Sequence, residues 1–543
     1  MSWASKLTRP SLRTLILLLG IPAIVGLGLI LAGKTQDPLP FPLFSRLNAQ
    51  EKFGKAPELV GGTDWLNTAK PISIQKDLKG KVVVLDFWTF CCINCIHTLP
   101  DLARLEKKYE KQLVVIGVHS AKFENEKVTA NIRKAILRYQ IHHPVVNDPE
   151  MKIWEMYDCS SWPTLAVIDP EGNYVGSASG EGNYELMDRV IQKLIDKHRK
   201  NKTLNEAPIH FRLESELEHP LSFPGKVLAD EKSKRLFIAD STNQRVVITD
   251  FAGNKLAIAG AGVAGNKDGD FASAQFNDPQ GMALKGETLY VADRRNHTIR
   301  ALDLRTKTVK TVAGTGKQDR DSRGLRGPAL QIGLNSPWDL LLGPDGETIY
   351  IAMAGHHQIW TYDPKAERLD VHAGEGAENI RDGSLASARF AQPSGLTTDG
   401  KNLYVADSEV SAIRSVGLSF RGAVRTLVGK GLFIFGDVDG RGDAVRLQHA
   451  LGVVYHDGKL YIADTYNSKI KVLDPKTTEC KTFVGDKGGW LTERTFNEPG
   501  GISYAAGKLY VADTNAHRIR VVDLKTRAVS TLKLTGVPPV GAK

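Results

Sequence analysis

The chain has 543 residues, of which 42% are hydrophobic and 24% are charged, so its length favours two or three domains over one. Its formal net charge is +10, but the basic residues form no block, which favours an ordinary solvated surface over a nucleic-acid-binding one. The five cysteines are too few for a disulfide-stapled secreted scaffold, and no second Cys-x-x-Cys or His-x-His pair completes a zinc site. We therefore expect no metal, no cofactor and no nucleic-acid partner.

An uncharged, largely apolar stretch covers residues 14–33. At about 1.5 Å per residue, a helix of this length spans the roughly 30 Å hydrocarbon layer of a membrane. Lys6, Arg9 and Arg13 precede it, which predicts that residues 1–13 are cytoplasmic and that the rest is exported to a periplasm or thylakoid lumen. We expect a single-pass membrane anchor, with a cleaved signal peptide as the alternative. The proline-rich residues 34–54 are interpreted as a spacer.

Residues 55–200 show an alternation of strand and helix patterns. Strands are predicted over 82–88, 113–119, 143–146, 164–168 and 174–179, and helices over 96–111, 126–139, 152–157 and 185–198. This alternation is typical of an α/β sheet with helices on both faces. A charged run then marks the beginning of a linker over 201–218.

The run Cys91-Cys92-Ile93-Asn94-Cys95 lies between the first predicted strand and the first predicted helix. A cysteine at the start of a helix lies near unpaired backbone N–H groups and the positive end of the helix dipole, which favours the thiolate. Because the thiolate is the species that attacks a disulfide, Cys92 is the predicted nucleophile. Cys95, one turn later, is placed to resolve the resulting mixed disulfide. The motif therefore predicts a redox-active pair.

From residue 219 to residue 543 the pattern changes to a repeat of about 50 residues. An aromatic-Val/Ile-Ala-Asp phrase occurs six times and ends at Asp240, Asp293, Met353, Asp407, Asp464 and Asp513. A Phe/Leu-x-x-Pro phrase precedes most copies, and a β-rich run follows each. Four short strands per repeat are typical of a propeller blade, so six repeats predict an all-β six-bladed ring. The recurring aspartate is expected to fix a turn by bonding local backbone N–H groups, and we assign it no chemistry.

The first domain resembles the thioredoxin-fold proteins of the TlpA-like or redoxin type. The match rests on the run from Val84 to Cys95, on Pro100 five residues later, and on the Trp-Pro-Thr sequence at 162–164. The resemblance implies that Pro163 has a cis peptide bond and shapes the groove that holds the substrate backbone. It also implies that Asp86 takes the proton of Cys95, the alternative being a partly buried strand-end acid without a role. Trp88 and Trp162 are possible accessory residues of this site.

The sequence departs from ordinary thioredoxins at three points. Cys91 stands where a tryptophan is common, and Ile93-Asn94 replace Gly-Pro between the two cysteines, which leaves the redox potential open. Cys159 lies four residues before the expected cis-proline. Cys91 and Cys159 are candidates for an accessory redox pair, or else they are small buried hydrophobic residues. Cys480 is expected to be structural.

The second domain resembles the NHL-repeat propellers through its recurring Tyr-Val-Ala-Asp phrases. Taken with the membrane anchor expected over 14–33, the two resemblances imply a membrane-anchored, exoplasmic thiol–disulfide oxidoreductase that acts on protein substrates. Its partners would bind at the thioredoxin groove and the propeller face. The alternative is a non-catalytic protein-binding scaffold in which the thioredoxin-like module is regulatory. A propeller hydrolase or lyase with a channel metal is disfavoured because no His/Glu set repeats at blade spacing. RNA binding, known for some NHL propellers, is disfavoured by the expected export.

Overall fold

The computed structural model describes residues 54–321, 326–485 and 495–540. The N-terminal part contains one six-stranded sheet. Its strands are β1 (Asp64–Leu66), β2 (Val82–Trp88), β3 (Leu113–Ser120), β4 (Val145–Asp148), β5 (Thr164–Ile168) and β6 (Tyr174–Ser179). They lie in the order β1-β4-β3-β2-β5-β6, with β2, β3 and β4 parallel and the outer strands antiparallel. The predicted thioredoxin-like α/β sheet is confirmed.

Four α-helices cover this sheet: α1 (Ile93–Lys108), α2 (Thr129–Tyr139), α3 (Lys152–Met156) and α4 (Tyr184–Lys200). Because side chains alternate along a strand, β2 sends Val83 and Phe87 to the face that α3 covers. Val82 and Val84 point to the opposite face, where α1 and α4 pack. The sheet is therefore buried on both sides, as expected for parallel strands.

Two elements differ from the sequence prediction for a local reason. The expected helix over 126–139 is divided into a 3₁₀ turn, Glu124–Lys127, and the shorter helix α2. The Glu126 carboxylate accepts hydrogen bonds from the backbone N–H groups of Lys122 and Phe123, at 3.0 Å each. These bonds hold the chain in a turn ahead of the helix. The short edge strand β1 was not predicted because it exists only through its pairing with β4.

The predicted single-pass membrane protein, with its folded part in a periplasm or thylakoid lumen, is contradicted. No helix in the described ranges is long and apolar enough to span a bilayer. The longest, α4, has 17 residues and ends in four consecutive basic or histidine residues. A membrane helix needs about 20 predominantly apolar residues. The expected anchor over 14–33 lies outside the described residues.

The C-terminal part is a ring of six antiparallel sheets, so the predicted six-bladed propeller is confirmed. Blade one contains β7 (Lys226–Asp230), β8 (Arg235–Asp240), β9 (Arg245–Asp250) and β10 (Lys255–Ala259). Blade two contains β11 (Gly269–Asp270), β12 (Pro279–Lys285), β13 (Thr288–Asp293), β14 (Thr298–Asp303) and β15 (Thr308–Ala313). Blade three contains β16 (Gly327–Pro328), β17 (Pro337–Leu342), β18 (Ile349–Met353), β19 (Gln358–Asp363) and β20 (Arg368–Ala373).

The remaining blades repeat this arrangement. Blade four contains β21 (Gly383–Ser384), β22 (Pro393–Thr398), β23 (Asn402–Asp407), β24 (Ala412–Gly417) and β25 (Ala423–Val428). Blade five contains β26 (Gly440–Arg441), β27 (Gly452–His456), β28 (Lys459–Asp464), β29 (Lys469–Leu473) and β30 (Glu479–Val484). Blade six contains β31 (Pro499–Ala505), β32 (Lys508–Asp513), β33 (Arg518–Asp523) and β34 (Val529–Thr531). The ring closes where Thr535 pairs with Asn254 beside β10.

The recurring aspartate is structural, but its partners are more distant than a hairpin turn. In blade two, Asp293 is buried and accepts a 2.7 Å hydrogen bond from the backbone N–H of Asn277, sixteen residues earlier. Its other oxygen pairs with Arg300 at 2.8 Å. The carboxylate thus joins the loop before the inner strand to the third strand of the blade. In the third copy, the Met353 sulfur accepts from the Asn335 N–H at 3.4 Å, which preserves the loop contact without a charge.

A buried lysine connects four blades across the central channel. The Lys226 ammonium donates to the main-chain carbonyls of Ser394 and Leu451, at 2.6 Å each, and lies 3.5 Å from an Asp339 carboxylate oxygen. Burial lowers the pKa of Lys226, while the Asp339 charge opposes that shift. A buried ammonium needs such partners because desolvation of an unpaired charge is costly.

Candidate redox site at the domain interface

The Cys92 thiol caps the first turn of α1. The chain leaves β2 at Trp88, turns over four residues and enters the helix at Ile93, three residues before the predicted start. Cys92 is the N-cap residue, and its sulfur accepts the Cys95 backbone N–H at 3.3 Å. An N–H group and a helix N-terminus aimed at sulfur stabilise a thiolate more than a thiol. The local geometry is therefore the one expected of a nucleophilic cysteine.

The three cysteines of the motif differ in exposure. Cys92 is partly exposed, whereas Cys91 and Cys95 are buried. Burial raises the pKa of the Cys95 thiol, and neighbouring Cys92 and the Asp86 charge raise it further. Burial also raises the pKa of Cys91, with Glu126 adding to that effect. Only Cys92 is thus placed to meet a second molecule, while Cys95 needs a proton acceptor before it can react.

Asp86 lies on β2 behind the cysteines, on the sheet face that α1 covers. Its side chain is completely buried, and neither carboxylate oxygen has a hydrogen-bond partner among the described residues. Burial raises its pKa to about 7, His143 lowers it and Glu106 raises it. His143 is itself buried and bonds Glu106 at 3.3 Å. An unpaired carboxylate that titrates near neutral pH can accept a proton from a neighbouring group.

The Trp162–Pro163 peptide bond is cis, as the resemblance to thioredoxins implies. Pro163 precedes β5, which pairs with β2 beside the motif. The Trp162 indole N–H donates to the Ser120 carbonyl at 3.0 Å, and its ring lies 4.6 Å from that of Trp154. Trp162 and Cys92 pack against the same apolar cluster. The residue before the buried Pro163 and the partly exposed Cys92 thus contact one continuous apolar cluster.

Cys159 and Cys91 are not brought together. Cys159 packs against the cluster on the α3 face of the sheet, whereas Cys91 belongs to the cluster between α1, α2 and the propeller. Burial raises the pKa of the Cys159 thiol as well. Trp88, the other accessory candidate, is fully buried with its ring edge-on to His119 at 5.0 Å. These three residues pack as core, consistent with the alternative interpretation of the two cysteines.

The propeller covers the beginning of α1, which the sequence did not predict. The Gln392 side chain accepts a hydrogen bond from the Ile93 N–H at 3.0 Å and donates to the Cys91 carbonyl at 3.1 Å. The Ile93 side chain packs against Trp338, Ala354 and Leu451 of the propeller. The propeller therefore closes the helix start on the side of Cys91 and Ile93.

Further polar contacts extend this interface along both flanks of the motif. His97 on α1 bonds the Ser336 hydroxyl at 2.7 Å and the Glu181 carboxylate at 2.6 Å. On the other flank, the Asn125 amide donates to Glu498 at 2.8 Å, and Lys122 forms a buried ion pair with Glu409. Such buried polar pairs fix the register of one surface on another.

Ser336, Gln392 and Glu498, three of the interface residues, share one position in the repeat. Each directly precedes the proline of a Phe/Leu-x-x-Pro phrase and has a left-handed backbone, with φ of 51°, 63° and 51°. The phrase was visible in the sequence as a repeat signal, but the variable residue before its proline was not interpreted. The amino acid at this position differs from blade to blade, and this difference is the sequence signal that could have indicated contact with another domain.

A cleft of about 530 Å³ lies between α1 and blades two and three. Its walls carry His97, Pro100, Glu106 and His143 on one side and Arg295 and His297 on the other. His97 and His297 face each other with ring centroids 5.9 Å apart. The cleft thus reaches Glu106 and His143, the two residues that influence Asp86.

One group of possible metal ligands, Asp169, Glu171 and His198, lies apart from the cysteines. The Asp169 carboxylate already accepts hydrogen bonds from the backbone N–H groups of Glu171 and Asn173, at 2.9 Å each. His198 is buried and bonds the Thr203 hydroxyl at 2.8 Å. This arrangement is that of a turn with an adjacent histidine, and we assign it no ligand.

Comparison with known proteins supports both resemblances. The thioredoxin-like family model matches residues 80–174, and the NHL repeat model matches residues 276–302 and 496–522. The chain is 44% identical over 509 residues to NHL repeat-containing protein 2 of Bos taurus, covering 86% of this chain and 70% of that protein. It is 44% identical over 479 residues to Protein SUPPRESSOR OF QUENCHING 1, chloroplastic, of Arabidopsis thaliana, covering 84% of this chain and 45% of that protein.

A third similarity is confined to the first domain. Over 119 residues the chain is 30% identical to the thiol-disulfide oxidoreductase ResA of Bacillus cereus, covering 22% of this chain and 66% of that protein. These comparisons confirm the resemblance of the first domain to thioredoxin-fold proteins and of the second domain to NHL-repeat propellers.

Proposed function

Because this chain belongs to the NHL repeat-containing protein 2 family, we propose that it catalyses thiol–disulfide exchange with protein substrates through Cys92 and Cys95. The observation that carries the proposal is the partly exposed Cys92 sulfur at the N-cap of α1, bonded by the Cys95 N–H. The 30% identity to a protein named as a thiol-disulfide oxidoreductase supports the same chemistry. The packing of Trp162 and Cys92 against the same apolar cluster supports a substrate groove between them.

In the first step, the Cys92 thiolate attacks one sulfur of a substrate disulfide. A Cys92–substrate disulfide forms, and the other substrate sulfur leaves as a thiolate that takes a proton from water. Asp86 then accepts the proton of Cys95, and the Cys95 thiolate attacks the Cys92 sulfur. The Cys92–Cys95 disulfide forms and the second substrate sulfur leaves as a thiolate. Two electrons have passed from the cysteine pair to the substrate, and an external dithiol returns them to the pair.

The propeller is proposed to act as the platform that selects the substrate. Gln392 and the pocket around Ile93 close one side of the motif. We expect a substrate to approach from the side of Trp162, which is partly exposed, whereas Pro163 is buried. Because the propeller covers one side of the motif and leaves Cys92 only partly exposed, access is restricted, which favours a protein substrate that presents its disulfide on a protruding segment.

A non-catalytic scaffold is the second candidate, because the propeller buries Cys91 and Ile93 within the chain itself. In that case the thioredoxin-like domain would be a fixed part of a binding surface, and the cysteines would be dispensable or regulatory. Both candidates agree on a protein partner and differ on whether sulfur chemistry occurs.

A trapping experiment separates the two candidates. In the full chain, Cys95→Ser leaves Cys92 able to attack but unable to be resolved, so mixed disulfides with a disulfide-containing peptide should accumulate. Cys92→Ser should abolish trapping and should reduce dithiothreitol-driven turnover of that peptide by at least about a hundredfold. Cys480→Ser, at a buried cysteine in blade five, is the matched control and should leave turnover unchanged. No trapped species with Cys95→Ser, together with wild-type turnover no faster than that of a Cys92→Ser/Cys95→Ser double variant, would leave the scaffold as the function.

A further inference from the structure

The connection between blades four and five carries an unusual apolar sequence, Leu432-Phe433-Ile434-Phe435. The corresponding connections after β15 and β20 are polar, with Thr315 and Lys317 in one and Glu375 and Glu378 in the other. Phe433 is 67% exposed and Ile434 is 39% exposed. Adjacent exposed apolar side chains are costly in water and mark interaction sites when they are held in place.

The ends of this apolar loop are anchored on both sides. Leu432 packs against Ala391, Val410 and Ala412 of blade four. The Phe435 ring lies 4.6 Å from the ring of Phe123 in the thioredoxin-like domain. A backbone hydrogen bond of 3.2 Å from the Ile434 N–H to the Gly431 carbonyl tightens the turn between them. Phe433 and Ile434 are therefore presented to solvent by a loop whose flanks are fixed.

The anchored end of the loop reaches the redox site. Phe435 packs against the same apolar cluster as Cys92 and Trp162. The Lys122 ammonium lies 5.4 Å from the centre of the Phe433 ring, and Glu409 neutralises this lysine in a buried ion pair. Lys122 follows Ser120 by two residues, and the Ser120 carbonyl accepts the Trp162 indole N–H, so the exposed pair borders the loop that contacts the cis-proline segment.

We propose that Phe433 and Ile434 form the docking surface for an extended segment of a protein substrate that carries apolar residues beside its reacting cysteine. The proposal rests on the thiol–disulfide exchange proposed above and assigns it a substrate class. This occupant is favoured because Phe435, at the end of the loop, packs against the same apolar cluster as Cys92 and Trp162, so that the loop and the thiol belong to one continuous surface. Because the loop is apolar, it favours substrates in which apolar residues flank the reacting cysteine.

The test compares three disulfides in dithiothreitol-driven reduction by the full chain. They are a cyclic peptide disulfide flanked by Leu and Phe, the same peptide with serine flanks, and hydroxyethyl disulfide. The Phe433→Ser/Ile434→Ser variant should lower kcat/KM for the apolar peptide by about tenfold or more, since two apolar side chains lose their contact. It should leave the other two substrates unchanged. Phe420→Ser, at a phenylalanine that is 82% exposed on blade four, is the matched control and should change none of the three.

Binding without chemistry gives an independent measurement. A fluorescent, redox-inert form of the apolar peptide, with serines in place of its cysteines, should bind the wild-type chain about tenfold more tightly than the double variant. Equal binding by the two chains, or an equal loss on all three disulfides, would overturn the docking surface and leave exchange at Cys92 standing. Failure of the wild-type chain to reduce any disulfide would overturn the exchange function.

Discussion

Replacing Asp86 by asparagine should stabilise the thioredoxin-like domain, and more so at higher pH. Burial raises the pKa of Asp86 from 3.8 to about 7, so between these values the folded chain binds a proton that the unfolded chain has lost. Raising the pH through this window therefore favours unfolding, by about 1.4 kcal/mol per pH unit where the difference is complete. Integrated from pH 5 to pH 8, the wild-type chain loses about 2.6 kcal/mol to this one carboxyl group.

Because asparagine has no proton to exchange, the difference in free energy of unfolding between Asp86→Asn and wild type should grow by that amount over the same range. The described α-helices all belong to the N-terminal domain, so the helical circular-dichroism signal during urea unfolding reports on that domain. The measurement is made in a reducing buffer at pH 5 and pH 8. Asp303→Asn is the control, since hydrogen bonds from the Thr306 backbone lower the pKa of Asp303 and keep it ionised throughout.

A difference that stays constant between pH 5 and pH 8 would show that Asp86 is already ionised in the folded chain. The proposed acceptor of the Cys95 proton would then have an ordinary pKa, and the argument from burial would fail. A free-energy difference that shrinks with rising pH would contradict the argument more strongly, because the pKa of Asp86 would then be lowered by folding and not raised.

Two further changes test how the parts are held together. Lys226→Met should lower the free energy of unfolding of the propeller by about 3–5 kcal/mol. The reason is that the Asp339 carboxylate and two main-chain carbonyls lose their buried cation. A thermal unfolding midpoint unchanged from wild type would contradict this. Gln392→Ala should expose the start of α1, because the Ile93 N–H and the Cys91 carbonyl lose their partner. We expect faster hydrogen–deuterium exchange over residues 91–96. Unchanged exchange would show that the apolar contacts alone hold the interface.

The elements that could be predicted are those whose pattern lies within one stretch of sequence. The bounds of β2, β5 and β6 agree with the alternation and apolar runs that predicted them. The start of α1 was placed three residues late because a cysteine is a poor N-cap on propensity alone, and here its sulfur accepts the Cys95 N–H. The helix expected from residue 126 begins later because the Glu126 carboxylate bonds backbone groups outside the helix.

The candidate site was predicted only as far as its own segment extends. Cys92, Cys95 and the cis bond at Pro163 followed from motif spacing and resemblance. The closure of the motif by Gln392 depends on a contact between residues 299 positions apart, for which a single sequence carries no periodic signal. The recurring aspartate was placed correctly as a structural residue, but its partner is sixteen residues upstream and was sought within the turn.

The loops that end in the Phe/Leu-x-x-Pro phrase explain how a ring of six similar blades can bind a domain that has no sixfold repeat. A left-handed backbone conformation directly before proline is unfavourable, and the surrounding blade maintains it. The direction of the side chain is therefore set by the backbone of the blade and does not depend on which amino acid stands there. The identity is then free to vary, and it does, from Ser336 to Gln392 to Glu498. Each of these meets a different group on the docked domain: a histidine, a main-chain turn and an asparagine amide. Exchanging Gln392 and Glu498 should therefore disrupt docking while leaving each blade folded, because the change lies in the side chain and not in the loop.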